Sequence, residues 1–201
     1  MFSLRKSLKK SFFLLIQFFS IGVHFCQNSS ADVDLTKLSN GLSGIDLRTG
    51  QKIQIQWDSV SLGTVIAFLS VKCPCSNSHE EALNVLAKDF EKSGFQFIGV
   101  HSNFDEDVDQ ARKHFNQSKF SFPVLQDSEA EIAIQFGALK TPHAYIVGRD
   151  KKILFEGGVD NSRMVQNATE HYLKDALTAI RDGNNSYRKS VRVVGCVISR
   201  P

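Results

Sequence analysis

Residues 64–77 read TVIAFLSVKCPCSN, and this stretch decides the fold class of the chain. The apolar run over 64–71 is rich in β-branched side chains, which is typical of a strand covered on both faces of a sheet. Cys73 follows at the position where the next helix is expected to begin. Pro74 suits the first turn of that helix, because its missing N–H would have no partner there. The stretch therefore predicts a buried strand that leads directly into a helix.

Strands and helices alternate along the rest of the chain. Hydrophobic patterning predicts strands over 52–57, 64–71, 95–100, 122–125, 144–147 and 153–155. Apolar residues at helical spacing predict helices over 78–92, 105–115, 129–139 and 164–181. This alternation implies a largely parallel sheet with helices on both faces. The last two strands flank a turn at 148–151 and are expected to be antiparallel, so the predicted class is α/β with a mixed central sheet.

Cys73 is the residue whose chemistry this local structure would change. Backbone N–H groups and the helix dipole at a helix N-terminus favour an anion, so they stabilise a thiolate. Lys72 adds a positive charge next to it. We therefore expect a lowered pKa for the Cys73 thiol and a nucleophilic sulfur at neutral pH.

The Thr141–Pro142 pair stands directly before the predicted strand over 144–147. An X–Pro bond at the entrance to a strand, downstream of a nucleophilic cysteine, is a candidate for a cis peptide bond. We expect such a bond to present the Thr141 backbone to the thiolate, where it could hydrogen-bond an incoming polypeptide.

Six segments together carry a resemblance to a known superfamily. They are FLSVKCPCSN (68–77), FQFIGVHSN (95–103), SFPVLQD (121–127), FGALKTPHAYIV (136–147), ILFEGGVDN (153–161) and VVGC (193–196). Over residues 40–198 the chain resembles the thioredoxin superfamily, in its redoxin and peroxiredoxin-like (AhpC/TSA-type) branch. The resemblance implies a thioredoxin-like fold and an exported thiol oxidoreductase that acts on a protein disulfide or a peroxide and is regenerated by a thiol reductant.

The resemblance also implies the roles of the site residues. Cys73 would attack the substrate, and Cys196 or Cys75 would then resolve the intermediate. Ser70, Pro74, Thr141 and Pro142 are expected to line the site, and the Ser70 hydroxyl to bind the thiolate. Ala67 stands where thioredoxins carry a buried carboxylate, so we expect that proton relay to be absent.

The cysteine partner of Cys73 stays open at this stage. Removal of residues 1–31 leaves Cys73, Cys75 and Cys196, and an odd number in an oxidising compartment indicates an exchanging thiol. The tail can fold back to bring Cys196 to Cys73, and the resemblance places a cysteine at this terminal position. A Cys73–Cys75 bridge would span a single intervening residue. Cys196 could also be a buried apolar residue or part of a purely structural bridge.

Two other functions compete with thiol-disulfide exchange. A peroxiredoxin-like thiol peroxidase is favoured by Ser70, which could take the place of that family's threonine. A non-enzymatic copper(I)-binding or assembly-factor module is the second alternative, with Cys73, Cys75 and His143 as ligands, since thiolates select this ion. The preferred hypothesis requires no cofactor and no bound metal, and the sequence shows no sign of a nucleic-acid partner.

The chain of 201 residues has a net charge of +3, but the excess of basic residues lies at one end. Arg5, Lys6, Lys9 and Lys10 precede the apolar run over 12–23, and no acidic residue occurs before Asp32. This pattern is typical of a secretory signal that is cleaved before Asp32. An uncleaved anchor and a lipid on Cys26 are the alternatives, and all three place the protein in the periplasm or cell envelope.

The charge and the segment boundaries follow from that assignment. Residues 1–31 hold four of the 24 basic residues and none of the 21 acidic ones, so the remainder has a net charge of −1. Membrane contact is expected through this segment alone. We predict an extension with a β-hairpin over 32–61, a redoxin domain over 62–183 and a tail over 184–201 that carries Gly195 and Cys196.

Overall fold

The structure, a computed structural model, describes residues 41–201. The predicted signal segment over 1–31, with Cys26, lies outside the described residues, as do residues 32–40 of the predicted extension. None of the helices in the described part is both long and apolar enough to span a membrane.

Strands and helices alternate through the described residues. In chain order they are β1 (Leu42–Ile45), β2 (Lys52–Ile55), β3 (Gly63–Leu69), α1 (Pro74–Glu91), β4 (Phe95–His101), α2 (Val108–Gln117), β5 (Val124–Gln126), α3 (Glu131–Phe136), β6 (Lys140–Thr141), β7 (His143–Val147), β8 (Ile153–Gly157), α4 (Tyr172–Arg181) and β9 (Cys196–Val197).

The central sheet has five strands in the order β5-β4-β3-β7-β8. Strands β3, β4 and β5 are parallel, whereas β7 runs antiparallel to both β3 and β8. The prediction of a mixed α/β sheet is therefore confirmed. β1 and β2 form a separate antiparallel pair.

The side chains of β3 alternate between two hydrophobic clusters, one on each face of the sheet. Val65 and Ala67 belong to the cluster that contains the apolar residues of α1, α2 and α4, whereas Ile66 and Phe68 belong to the one that contains α3. Every residue of β3 is buried, as expected for a strand covered on both faces. The prediction of helices on both faces is confirmed.

The last two predicted helices differ most from the structure in their extent. Residues 165–167 form only a short 3-10 helix, and α4 begins at Tyr172 rather than at 164. The Asn161 side-chain oxygen accepts hydrogen bonds from the Thr169 and Glu170 amides, at 3.0 and 3.2 Å, which holds the intervening segment as a loop. Helix α3 ends at Phe136 because Gly137 adopts a left-handed conformation, with φ of 66°.

The C-terminal tail returns to the end of β3 and pairs with a strand that the periodicity did not predict. β9 runs antiparallel to β6, with Thr141 opposite Cys196 and Lys140 opposite Val197. Ile198 is buried in the second hydrophobic cluster. The tail is thereby held against the first turn of α1, where Cys73 lies.

Candidate active site

Cys73 is the N-cap residue of α1. Its backbone is extended, and its sulfur accepts a hydrogen bond from the Ser76 amide at 3.4 Å. An N-cap side chain satisfies one of the amides that the first turn of a helix leaves without a partner, and an anion does this best. Pro74 occupies the first turn, as predicted. The local structure therefore aims helix amides at the Cys73 sulfur.

Three cysteine sulfurs meet at this point. Those of Cys73, Cys75 and Cys196 all lie within 4.8 Å of one another. The sulfurs of Cys73 and Cys196 are 2.6 Å apart, and the Cys73 thiol also reaches the Thr141 carbonyl oxygen at 3.2 Å. All three are free thiols. A small movement would let Cys73 and Cys196 form a disulfide, whose sulfurs lie about 2.05 Å apart.

The three thiols differ in acidity. Burial raises the pKa of Cys73, but its hydrogen-bond contacts with Cys196, with Thr141 and with the Ser76 amide outweigh it, so the pKa lies below its ordinary value. Burial and the neighbouring Cys73 raise the pKa of Cys196 to about 12. Burial and the Cys73 charge likewise raise the pKa of Cys75. Cys73 is therefore the thiol most readily ionised, and Cys196 keeps its proton.

Lys72 contributes less directly than expected. Its ammonium group donates to the Asp105 carbonyl oxygen at 2.7 Å. The main causes that lower the pKa of Cys73 are hydrogen bonds rather than this charge.

A buried carboxylate that the sequence analysis missed holds the turn before Cys73. Glu106 accepts hydrogen bonds from the Val71 and Lys72 amides, at 2.7 and 3.0 Å, and from the Ser70 hydroxyl. Its other contact is the His101 ring nitrogen at 2.8 Å. Burial raises the pKa of Glu106, but these hydrogen bonds outweigh it and lower the value to about 2. Glu106 is therefore an ionised anchor for the turn.

Ser70 links this anchor to the cysteine. Its hydroxyl donates to Glu106 and accepts from the Cys73 amide at 3.0 Å. The single hydroxyl proton is therefore directed to Glu106, and the expected hydrogen bond from Ser70 to the thiolate is wrong. Ser70 positions the Cys73 backbone instead.

A second buried pair lies beneath the first turn of α1, and only one of its members, Asp160, falls in a segment that carries the family resemblance. The two ring nitrogens of His79 contact the Cys75 carbonyl oxygen at 2.6 Å and an Asp160 carboxylate oxygen at 2.9 Å. A carbonyl oxygen can only accept, and an ionised carboxylate can only accept, so both ring nitrogens carry protons. Burial lowers the pKa of His79, but the hydrogen bond with Asp160 outweighs it and raises the value. The contact with Asp160 therefore favours the imidazolium form of His79.

Ala67 supplies no carboxylate to the site, but other residues supply buried carboxylates there. Ala67 is buried in β3, as the sequence indicated. Glu106 and Asp160 place carboxylates in the surroundings of Cys73 from other parts of the fold.

The structure also gives the positions of the remaining predicted site residues. The Thr141–Pro142 bond is cis. The Thr141 carbonyl faces Cys73, and Pro142 separates β6 from β7. Cys75 is buried in the first turn of α1.

Within residues 41–201 the three cysteine sulfurs are the one group of side chains that could reach a single soft metal ion. The inclusion of His143 in such a set is wrong. Its ring packs at a tilt against the Tyr145 ring, with centroids 4.5 Å apart, and burial lowers its pKa to about 4. Cys196 takes its place in the group.

The thioredoxin-like fold, with an acidic cysteine at the start of α1 and a second cysteine in contact with it, defines a thiol-dependent oxidoreductase of the redoxin type. The AhpC/TSA family model matches residues 44–155, more than half of the chain. The chain belongs to the AhpC/TSA family.

Comparisons with individual proteins agree with this class. The thiol-disulfide oxidoreductase ResA of Bacillus thuringiensis is 25% identical over 126 residues, which cover 62% of this chain and 69% of that protein. The crystal structure of an uncharacterized conserved protein from Geobacillus kaustophilus has a TM-score of 0.71 and 25% identity, covering 81% of this chain and 90% of that one. A secreted disulfide oxidoreductase of Mycobacterium tuberculosis shares the fold, with a TM-score of 0.51 and 17% identity, over 72% of this chain and 97% of that one.

Proposed function

We propose that the protein is an exported thiol-disulfide oxidoreductase in which Cys73 is the nucleophile and Cys196 resolves the intermediate. The observation that carries the proposal is the contact between the two sulfurs, 2.6 Å apart, at the start of α1. One member of the pair has a lowered pKa and the other a raised one, so one sulfur is prepared to attack while its neighbour holds a proton.

The reaction proceeds in two exchanges. The Cys73 thiolate attacks one sulfur of a substrate disulfide, and the other substrate sulfur leaves as a thiolate. Cys196 gives its proton to that thiolate and attacks the Cys73 sulfur, which leaves a Cys73–Cys196 disulfide and releases the second substrate sulfur as a thiolate that takes a proton from solvent. A dithiol reductant then returns two electrons and two protons. Cys75 is not needed for either step.

The site residues support the nucleophile rather than react. Ser76 and α1 stabilise the thiolate, whereas Ser70 and Glu106 hold the turn that carries it. The backbone of Thr141 is the proposed contact for the polypeptide that contains the target disulfide. Pro74 and Pro142 shape the two sides of the site.

Peroxide reduction is a second candidate, favoured by the burial of Cys73, which is 2% exposed. A small hydroperoxide reaches a buried sulfur more easily than a folded protein does. Attack of the thiolate on the O–O bond would give a sulfenic acid and an alkoxide, which takes a proton from solvent to leave as an alcohol. Cys196 would then convert the sulfenic acid to the same disulfide with loss of water. The cluster of three sulfurs supports copper(I) binding as the non-enzymatic candidate.

One series of assays on the purified protein separates the candidates. It measures insulin-disulfide reduction, hydroperoxide consumption with a dithiol donor, and copper(I) titration. We expect turnover in the first assay, loss of turnover in Cys73→Ser and Cys196→Ser, and retention in the matched Cys75→Ser control. Full turnover by Cys73→Ser would refute the proposal, and turnover in the peroxide assay alone would establish the peroxidase.

The proposed location outside the cytoplasm rests on the first 31 residues, with their basic start and apolar run. Cell fractionation with an antibody to the described part of the chain tests this. We expect the protein in the envelope fraction, and recovery with cytoplasmic markers alone would refute export.

A further inference from the structure

The last residues of the chain lie in the site as a peptide strand would. Cys196 pairs with Thr141 and Val197 with Lys140 in an antiparallel arrangement. The Ile198 amide extends the pairing by donating to the Leu139 carbonyl oxygen at 3.0 Å. The cysteine of this strand is presented to Cys73 at 2.6 Å. This is the geometry that a substrate cysteine needs for exchange with Cys73.

The side chains of the tail alternate between the site and the solvent. Val197 is 72% exposed, whereas Ile198 is 3% exposed and packs in the second hydrophobic cluster. Arg200 donates to the Ala138 carbonyl oxygen at 2.6 Å. Ile198, two positions after the cysteine, is therefore the aliphatic anchor of the strand, next to Ser199, whose hydroxyl accepts a hydrogen bond from the Asp105 amide at 3.0 Å.

The position before the cysteine admits only glycine. A Cβ atom at Gly195 would lie 2.0 Å from the Thr141 carbonyl oxygen and 2.7 Å from its carbon. Both are backbone atoms of the site, so they cannot swing away as a flexible side chain would. Close approach of two backbones is a standard reason for a glycine.

We propose that the segment from Gly195 to Arg200 is a built-in substrate strand, and that its groove accepts external protein segments with glycine before the target cysteine and an aliphatic residue two positions after it. This inference deepens the proposed function and rests on it. The tail and an external segment cannot pair with β6 together, so a substrate has to displace the tail. The tail therefore both resolves the intermediate and competes with substrates.

The test uses the full chain with Cys196→Ser, which stops resolution and traps the mixed disulfide on Cys73. The probe is the peptide VVGCVISRP, with the sequence of residues 193–201, supplied as its mixed disulfide with glutathione. Cys73 attacks the peptide sulfur and releases glutathione as a thiolate, and mass spectrometry follows the adduct. The matched peptides carry Gly195→Ala or Ile198→Asn, and oxidised glutathione is the small-molecule control.

We expect the unaltered peptide to form the adduct at least about tenfold faster than either altered peptide. Adding Gly195→Ala to the chain itself should raise the rate further, because the altered tail no longer fits the groove. The peptide comparison needs only the Cys196→Ser chain, so it stands even if the double variant folds poorly.

The failures of the two proposals are distinguishable. Equal rates for the three peptides, with normal reaction of Cys73 with oxidised glutathione, would overturn the substrate strand and leave thiol-disulfide exchange standing. Absence of any adduct on Cys73, with glutathione or with peptide, would overturn both.

Discussion

The sulfur of Cys196 lies 2.6 Å from the sulfur of Cys73, although 123 positions separate the two residues. Pairing of β9 with β6 brings them together, and burial of Ile198 holds the pairing in place. The nucleophile is fixed by the central sheet and α1, whereas its partner is delivered by the tail. Thiol chemistry in this protein therefore depends on a segment that lies outside the five-stranded central sheet.

The acidity of the three thiols should be visible in their alkylation. We expect iodoacetamide to modify Cys73 at a pH below the ordinary thiol value of 9, because hydrogen bonds favour its thiolate, whereas Cys196 should require a pH far above that value. Peptide mapping of the reduced protein over a pH series measures each site. Cys196→Ala should raise the pH at which the alkylation of Cys73 reaches its midpoint, since the hydrogen bond from the Cys196 thiol is lost. A midpoint for Cys73 at or above pH 9 would contradict the assignment.

Glu106 should stabilise the folded protein in a pH-dependent way. Its pKa falls from an ordinary 4.5 to about 2, so its contribution is complete above pH 4.5 and is lost as the pH falls toward 2. Glu106→Gln should lower the free energy of unfolding at pH 7 by about 1.5–3 kcal/mol, the range for hydrogen bonds to charged groups. Denaturant unfolding at pH 7 and pH 3 measures the difference, which should shrink at pH 3.

A matched control for Glu106 is the exposed pair of Asp109 and Arg112. Asp109→Asn should change the free energy of unfolding by less than about 1 kcal/mol, because exposed ion pairs contribute little. An equal effect of the two substitutions at pH 7 would show that Glu106 is not the anchor described above.

Asp160 should set the protonation of His79. Asp160→Asn keeps the shape of the side chain but removes the charge that favours the imidazolium, so the pKa of His79 should fall. NMR titration of the ring protons measures this, with His114 as the internal control because its raised pKa depends first on Glu80. A His79 midpoint that is unchanged by the substitution would contradict the pairing.

The same pair predicts a pH window for stability. The folded-state pKa of His79 lies above the ordinary 6.5, so its stabilisation is complete below pH 6.5 and is lost as the pH rises through the folded-state value. The stability difference between the unaltered protein and Asp160→Asn should therefore be larger at pH 6 than at pH 9. A larger stability difference at pH 9 than at pH 6 would contradict an imidazolium in the folded state.

Local features of the site could be predicted from sequence because neighbours in the chain create them. The apolar run over 64–71 and Pro74 were enough to place a buried strand before a helix with Cys73 at the junction. The predicted start of the last helix at residue 164 is wrong because a side chain, Asn161, binds amides eight and nine residues away and holds the segment before Tyr172 as a loop. Periodicity carries no signal for such a bond.

Glu106 and His79 were missed because their contacts are long-range. Glu106 meets Ser70 across 36 positions, and His79 meets Asp160 across 81. A weak signal existed for His79, since it lies four residues before Leu83 on the buried face of α1. The pairing of β6 with β9 involves two residues in each strand, too few for an alternating pattern to appear.

The most direct test of the central claim is the disulfide that forms when the purified protein is mildly oxidised. Non-reducing peptide mapping by mass spectrometry should find Cys73 joined to Cys196 within one chain, with Cys75 as a free thiol. Recovery of Cys73 joined to Cys75, or of Cys73 without a link to Cys196, would contradict the assignment of Cys196 as the resolving residue.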